Sequence, residues 1–143
     1  MSSAPQLAPE HIRALARAHR PGYAMAQQFY TDPAVFETDA RLVFGRHWML
    51  AGHVSEIPAP GDFFLLEMMG ESVILCRDEG GAVRAFANVC RHRGSRVCTE
   101  ARGATRRFTC PYHAWTYGLD GSLFSARLLD ASHDRARLGL LPV

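Results

Sequence analysis

Two short stretches of this chain hold the same pair of metal-ligating side chains. "CRHRGSRVC" contains Cys90 and His92, and "CPYHAWTYG" contains Cys110 and His113. Read as spacing they are C-x-H, seventeen residues, then C-x-x-H. A thiol and an imidazole this close, twice over, require two tight loops that converge on one point. Two loops at the end of a sheet meet that requirement, with the hairpin between them supplying rigidity. Pro111 stiffens the turn between Cys110 and His113, and Gly94 lets backbone amides come close to whatever the first loop encloses.

The rest of the sequence permits such a core. At 143 residues the chain makes one ordinary domain that needs no disulfide staples. Its 48% apolar and 21% charged residues exclude a disordered or membrane-spanning class. No apolar run approaches a membrane span, and "MSSAPQLAPE" lacks the order of a secretory signal. These features predict the cytoplasm, where Cys76, Cys90, Cys98 and Cys110 stay reduced. The net charge of +2 is too small to indicate nucleic acid. All sixteen basic residues are arginine, and Arg91, Arg93, Arg96, Arg102, Arg106 and Arg107 crowd one stretch in which Glu100 is the only acid.

The N-terminal third reads as helix. Pro9 suits a first helical position, Ile12 and Leu15 begin an apolar stripe, and Pro21-Gly22 stop it. Asp32-Pro33 announces a second helix through "AVFETDARLVFGRHW", with Phe36, Ala40, Val43 and Phe44 on a buried face. From Trp48 the pattern becomes strands: "MLAGHVSEI", then "FFLLEMM" turning at Gly70-Glu71 into "SVILCRD", then "AVRAFANV" after Glu79-Gly80-Gly81. "TYGLDGSLFSA" reads as a hairpin on Asp120-Gly121. There is no internal repeat. The expected fold is mainly β, an antiparallel sandwich or small barrel with two ligand-bearing loops, preceded by N-terminal helices. Its expected divisions are 1–47 helical, 48–135 the β domain, and 136–143 the start of a further connection.

Two metal centres fit the ligand set. Tetrahedral zinc accepts two cysteines and two histidines, although its usual spacings pair like with like. The mixed pairing suits a centre with two unlike metal positions, as in a [2Fe–2S] cluster where two histidines replace cysteine on one iron. Four unrelated residues is the weakest account, because both halves keep cysteine before histidine.

"CRHRG" together with "CPYHAWTYGLDG" resembles the Rieske domain of ring-hydroxylating and related non-haem iron oxygenase α subunits. Respiratory Rieske proteins differ, with an extra cysteine in each loop that closes a disulfide; the second loop here contains only Cys110. Cys76 and Cys98 are therefore expected as buried free thiols. "FYTDPAVFETDARLVFGRHWMLAGHVSEIPAPGDF" resembles the segment preceding this domain, and its first part is similar to members acting on quaternary ammonium compounds such as choline, carnitine or betaines. An aromatic-ring substrate is the alternative.

The resemblance implies that Cys90 and Cys110 bind the inner iron of a [2Fe–2S] cluster and that His92 and His113 bind the outer one. Each imidazole that replaces a thiolate removes a negative charge, so an added electron meets less repulsion. Rieske centres as a class accordingly span about −150 to +300 mV, against about −400 mV for plant-type ferredoxins. Gly94, Pro111, Trp115 and Tyr117 would shape or shield the site. Arg91 and Arg93, flanking His92, would tune it or face an electron donor.

No catalytic residue is expected in this chain. A mononuclear Fe(II) would belong to a C-terminal catalytic domain absent from these residues. Implied partners are an NAD(P)H-dependent reductase, sometimes a ferredoxin, and the catalytic domain itself in a homotrimer, with no nucleic acid and no membrane. A standalone Rieske-type electron carrier and a zinc-binding structural module are the competing functions. His11, His19, His47, His53 and His133 read as structural or surface residues.

Overall fold

The computed structural model describes residues 9–127, 129–130 and 132–143. The chain divides into two compact units, Met1–Leu50 and Ala51–Val143. In the first, helix α1 (Pro9–Arg17) has Glu10 in its first turn and Arg17 in its last, each matched to the helix dipole. After the single turn α2 (Gln28–Thr31), α3 (Pro33–Asp39) starts at Asp32, whose carboxylate accepts the Ala34 N–H at 2.8 Å.

The sequence predicts that α3 continues to Trp48, and it does not. Ala40–Phe44 forms a wide turn in which the Gly45 N–H donates to the Ala40 carbonyl. The extra residue rotates the later positions about the axis, so the predicted stripe loses register. Val43, beyond that point, is exposed; within α3 itself Ala34 and Val35 are buried rather than the predicted Phe36.

In the second unit β1 (Asp62–Met68), β2 (Glu71–Arg77), β3 (Val83–Ala87) and β4 (Arg102–Ala104) form an antiparallel sheet ordered β3-β2-β1-β4. The strands β5 (Phe108–Thr109), β6 (Thr116–Tyr117) and β7 (Leu123–Ser125) form a second, ordered β5-β6-β7. Both sheets are open, so of the two expected β architectures the closed barrel is not formed. The β1–β2 turn falls on Met69-Gly70, one residue before the predicted position. Both residues have positive φ, 53° and 85°, as a twist-matched two-residue hairpin turn requires.

Alternation along the strands sorts the core. Phe63, Ile74, Cys76 and Phe86 join Phe108, Trp115, Tyr117, Leu119, Cys90 and Cys110 in the larger buried cluster. Phe64 and Leu75 belong to a smaller one with Ile57. Phe63 and Phe108 meet edge to face at 5.5 Å, which joins the two sheets. Full burial of such a side chain contributes about 1.5–3 kcal/mol, so the surface carrying the two ligand loops is among the best-anchored parts of the fold.

The predicted strand over 49–57 is replaced by irregular chain and a 3-10 turn, Val54–Glu56. The His53 ring accepts the Ser55 N–H, and the Glu56 carboxylate accepts the His53 N–H at 3.1 Å. These caps satisfy the backbone locally, and Pro58 and Pro60 offer no ladder donors. At the far end, residues 140–143 return to β3. The Leu141 carbonyl accepts the Ala87 N–H, Val143 N–H donates to the Ala85 carbonyl, and Leu140 is buried. No helix among the described residues is long and apolar enough to cross a membrane.

Candidate metal centre

Cys90 lies just beyond β3, and Cys110 opens the loop between β5 and β6. Both loops close with the same two backbone bonds. The Cys90 N–H donates to the Ser95 carbonyl (2.8 Å), and the Gly94 N–H returns to the Cys90 carbonyl (2.9 Å). In the second loop the Cys110 N–H donates to the Trp115 carbonyl (2.8 Å), and the Ala114 N–H returns to the Cys110 carbonyl (2.9 Å). The equivalent residues Gly94 and Ala114 both have positive φ, 70° and 57°. A Cβ on Gly94 would meet nothing within 4 Å, so the visible need for glycine there is conformational.

Within this shared frame the four candidate side chains separate into two pairs. Cys90 and Cys110 are 3% and 2% exposed and neither is in a disulfide. His92 is exposed and His113 half-buried. The two imidazoles meet edge to face with centroids 4.6 Å apart. Buried Trp115 stacks flat on His92 at 4.9 Å, and exposed Tyr112 lies against His113 at 3.8 Å. Desolvation first, then His113 and Arg93, hold His92 below its ordinary range. That favours the neutral imidazole a metal requires.

Beneath the thiols lies Tyr117, with no exposed surface. Its Oη is 3.2 Å from Cys90 Sγ and accepts the Arg91 N–H at 3.1 Å. With the Arg91 amide donating into the oxygen, the phenol proton is free to point at the sulfur, and it must do so once Cys90 holds a metal as thiolate. Burial first, then Cys90, push the Tyr117 pKa above its ordinary value, and the proton stays in place. The sequence marks Tyr117 only as a shield or buttress. Its bond to a ligand sulfur has no sequence signal, and neither has the left-handed Ala114.

Pro111 is exposed on the second loop. The arginine-rich stretch divides by role. Arg91 and Arg93 are exposed beside His92, and no ion pair engages either among the described residues. Arg96 pairs with Glu67 at 2.8 Å, Arg102 approaches Glu56 at 3.9 Å, and the Arg107 guanidinium lies 3.4 Å over the Phe124 ring. An open depression of about 900 Å³ covers the histidines, walled by Arg91, Arg93, Tyr112, Arg127, Asp130 and His133. His53 serves as the cap described above, and the His47 Nδ1 lies 2.7 Å from the Val43 carbonyl oxygen. Cys76 is fully buried, whereas Cys98 is half-buried rather than buried.

Among the described residues no three His, Cys, Asp or Glu side chains gather at a point suited to one ion. The arrangement is two buried thiols, which both act on Tyr117, and two imidazoles in contact at the rim. Two buried thiols and two rim imidazoles are the ligand set that a cluster with one cysteine-held and one histidine-held iron needs.

Two open antiparallel sheets carry these paired loops at one end of a common core. Residues 47–134 match the Rieske [2Fe-2S] domain family, and the chain belongs to it. It is 41% identical over 128 residues to the glycine betaine monooxygenase oxygenase subunit of Chromohalobacter salexigens, covering 89% of this chain and 29% of that one. To the biphenyl 2,3-dioxygenase subunit alpha of Rhodococcus jostii it is 43% identical over 98 residues, 68% of this chain and 21% of that one. The structure of naphthalene 1,2-dioxygenase from Rhodococcus sp. bound to indole superposes with a TM-score of 0.83 at 34% identity, covering 94% of this chain and 32% of that one. The chain therefore spans less than a third of the length of these relatives.

Proposed function

We propose that this chain is the electron-transfer domain of an oxygenase α subunit, with Cys90 and Cys110 holding the inner iron of its cluster and His92 and His113 the outer. The observation that carries this reading is the contact between rim imidazoles above buried, unpaired thiols. The [2Fe–2S] group supplies one-electron acceptance and release. The chain's own residues do the rest. Trp115 and Tyr117 exclude water from the sulfur side, Tyr117 donates a hydrogen bond to Cys90, and the loop closures hold both cysteines on one face.

The partner would be an NAD(P)H-dependent reductase or a ferredoxin in the cytoplasm, docking at the depression over the histidines, where Arg91 and Arg93 favour an acidic face. Electrons would go on to a mononuclear iron in a catalytic domain following residues 136–143, in a trimer of the whole subunit. The match to a glycine betaine monooxygenase subunit extends over 128 residues and that to a biphenyl dioxygenase subunit over 98, and the longer match favours a quaternary ammonium substrate over an aromatic ring. Metal analysis is the primary test. The purified chain should contain two irons and two sulfides and be red-brown, and stoichiometric zinc after iron-replete expression would overturn the reading.

A further inference from the structure

We propose that Asn88 is the positioning residue of the first ligand loop, its carboxamide doing for that loop what strand pairing does for the second. The proposal rests on the cluster reading above. The second loop sits at the tip of a ladder, with β5 and β6 paired through Phe108 to Tyr117 and Thr109 to Thr116. Those pairings set the distance between the two ends of the loop. The first loop has no such support, because β3 stops at Ala87 and no strand falls between it and β4 at Arg102.

Asn88 occupies the place of the missing ladder. It has no exposed surface. Its Oδ1 accepts the N–H groups of Val97 (3.0 Å) and Cys98 (2.9 Å), and its Nδ2 donates to the Cys98 carbonyl (2.7 Å) and the Ser72 hydroxyl (3.1 Å). The full capacity of an amide side chain is used. Asn88 leads into Cys90, and Val97-Cys98 follow Ser95, which closes the loop. One side chain thus clasps both ends. The bonding continues outward: Ser72 Oγ donates to Glu67 (2.8 Å), and Glu67 accepts both terminal nitrogens of Arg96 (2.8 and 3.0 Å). Arg96 belongs to the loop's own outgoing segment, so the circuit returns to its origin.

An asparagine that only stabilised the domain would leave the loop geometry alone. The comparison is therefore Asn88→Ala against Ile57→Ala, a truncation in the separate small core cluster. Both are measured as chains carrying their cluster, at a temperature where both are folded. Asn88→Ala should release iron to a chelator roughly 10-fold faster or more, the scale on which losing a ligand's support is felt. It should also shift the g values of the reduced centre, and amide exchange at Val97 and Cys98 should outpace global opening. Ile57→Ala should lower the melting temperature only. If Asn88→Ala does not fold, Glu67→Ala, at an exposed position, should move g values and exchange the same way by less. Identical behaviour of Asn88→Ala and Ile57→Ala apart from melting, or an inert Glu67→Ala where Asn88→Ala is unfolded, overturns the proposal. Absence of iron and sulfide in the parent would sink only the cluster reading, since exchange at Val97 and Cys98 in the metal-free chain tests the clasp independently.

Discussion

Tyr117→Phe should lower the reduction potential of the centre. The phenol is fully enclosed and its Oη lies 3.2 Å from Cys90 Sγ, so no water replaces the lost donor. A hydrogen bond to a charged acceptor contributes about 1.5–3 kcal/mol, but only the part that strengthens on reduction moves the potential. The added electron is shared among irons, sulfides and thiolates, so taking about a third of the bond leaves about 0.5–1 kcal/mol. For a one-electron couple, with about 59 mV for each tenfold change, that is a fall of about 20–45 mV. The ring stays in the core, and the Arg91 N–H left without its 3.1 Å partner costs stability, which is read separately from the potential. Potentiometric titration followed by circular dichroism or EPR, on samples of matched iron and sulfide content, reads the change. An unchanged or raised potential at full cluster content would refute the donor direction argued from the Arg91 amide.

Three further outcomes are expected. Ala114→Gly should stabilise the domain by about 0.5–1 kcal/mol, because relief of a left-handed alanine outweighs the looser unfolded chain; a lower denaturation midpoint would contradict it, and Gly94→Val should destabilise. Burial, then Asp78, pushes the Cys76 thiol from 9.0 up to about 11, so its contribution to stability is complete below pH 9.0 and is lost as pH rises toward about 11. Cys76→Ala should flatten that part of a stability–pH curve, and an unaltered slope would count against the cause. Replacing Arg91 and Arg93 by Gln should slow reduction by a reductase most at low salt, since exposed charges are screened within about 10 Å at 0.1 M; salt-independent stopped-flow rates, unchanged in the double variant, would return both arginines to the solvated surface.

The four proposed ligands are legible in the sequence because metal chemistry admits few residue types and a tight loop fixes their spacing. The strands β1 to β3 are legible for a comparable reason, since burial of alternate residues leaves a period of two. Features that depend on register between distant segments escape notice. Tyr117 looks like any aromatic in a short strand until the fold brings it to Cys90, 27 positions earlier. Asn88 lies inside the expected strand "AVRAFANV", and only the path of residues 97–98 makes its side chain a clasp. The wide turn at Ala40–Phe44, closed by the Gly45 N–H on the Ala40 carbonyl, has no residue type that announces it. Segment 49–57 has the apolar content of a strand, but His53 and Glu56 cap it into a turn instead.

The paired loops show why so little sequence identity is needed between them. Each requires a cysteine whose N–H and carbonyl are both taken by residues four and five places on, with a left-handed residue fourth. Glycine meets that requirement in one loop without strain, and alanine meets it in the other because the β5–β6 ladder holds both ends. The histidine is then free to sit two places after the cysteine in one loop and three in the other. That offset accompanies rings that meet at 75° rather than stacking parallel. The thiols lie on the core side, where the Tyr117 hydroxyl beside Cys90 would offset part of the desolvation cost that a buried thiolate carries. The imidazoles, neutral ligands in the proposed cluster, would carry no such cost and so suit the rim. On the proposed ligation sulfur lies inside and nitrogen at the surface, so an electron from a donor docked over the depression would meet the imidazoles first.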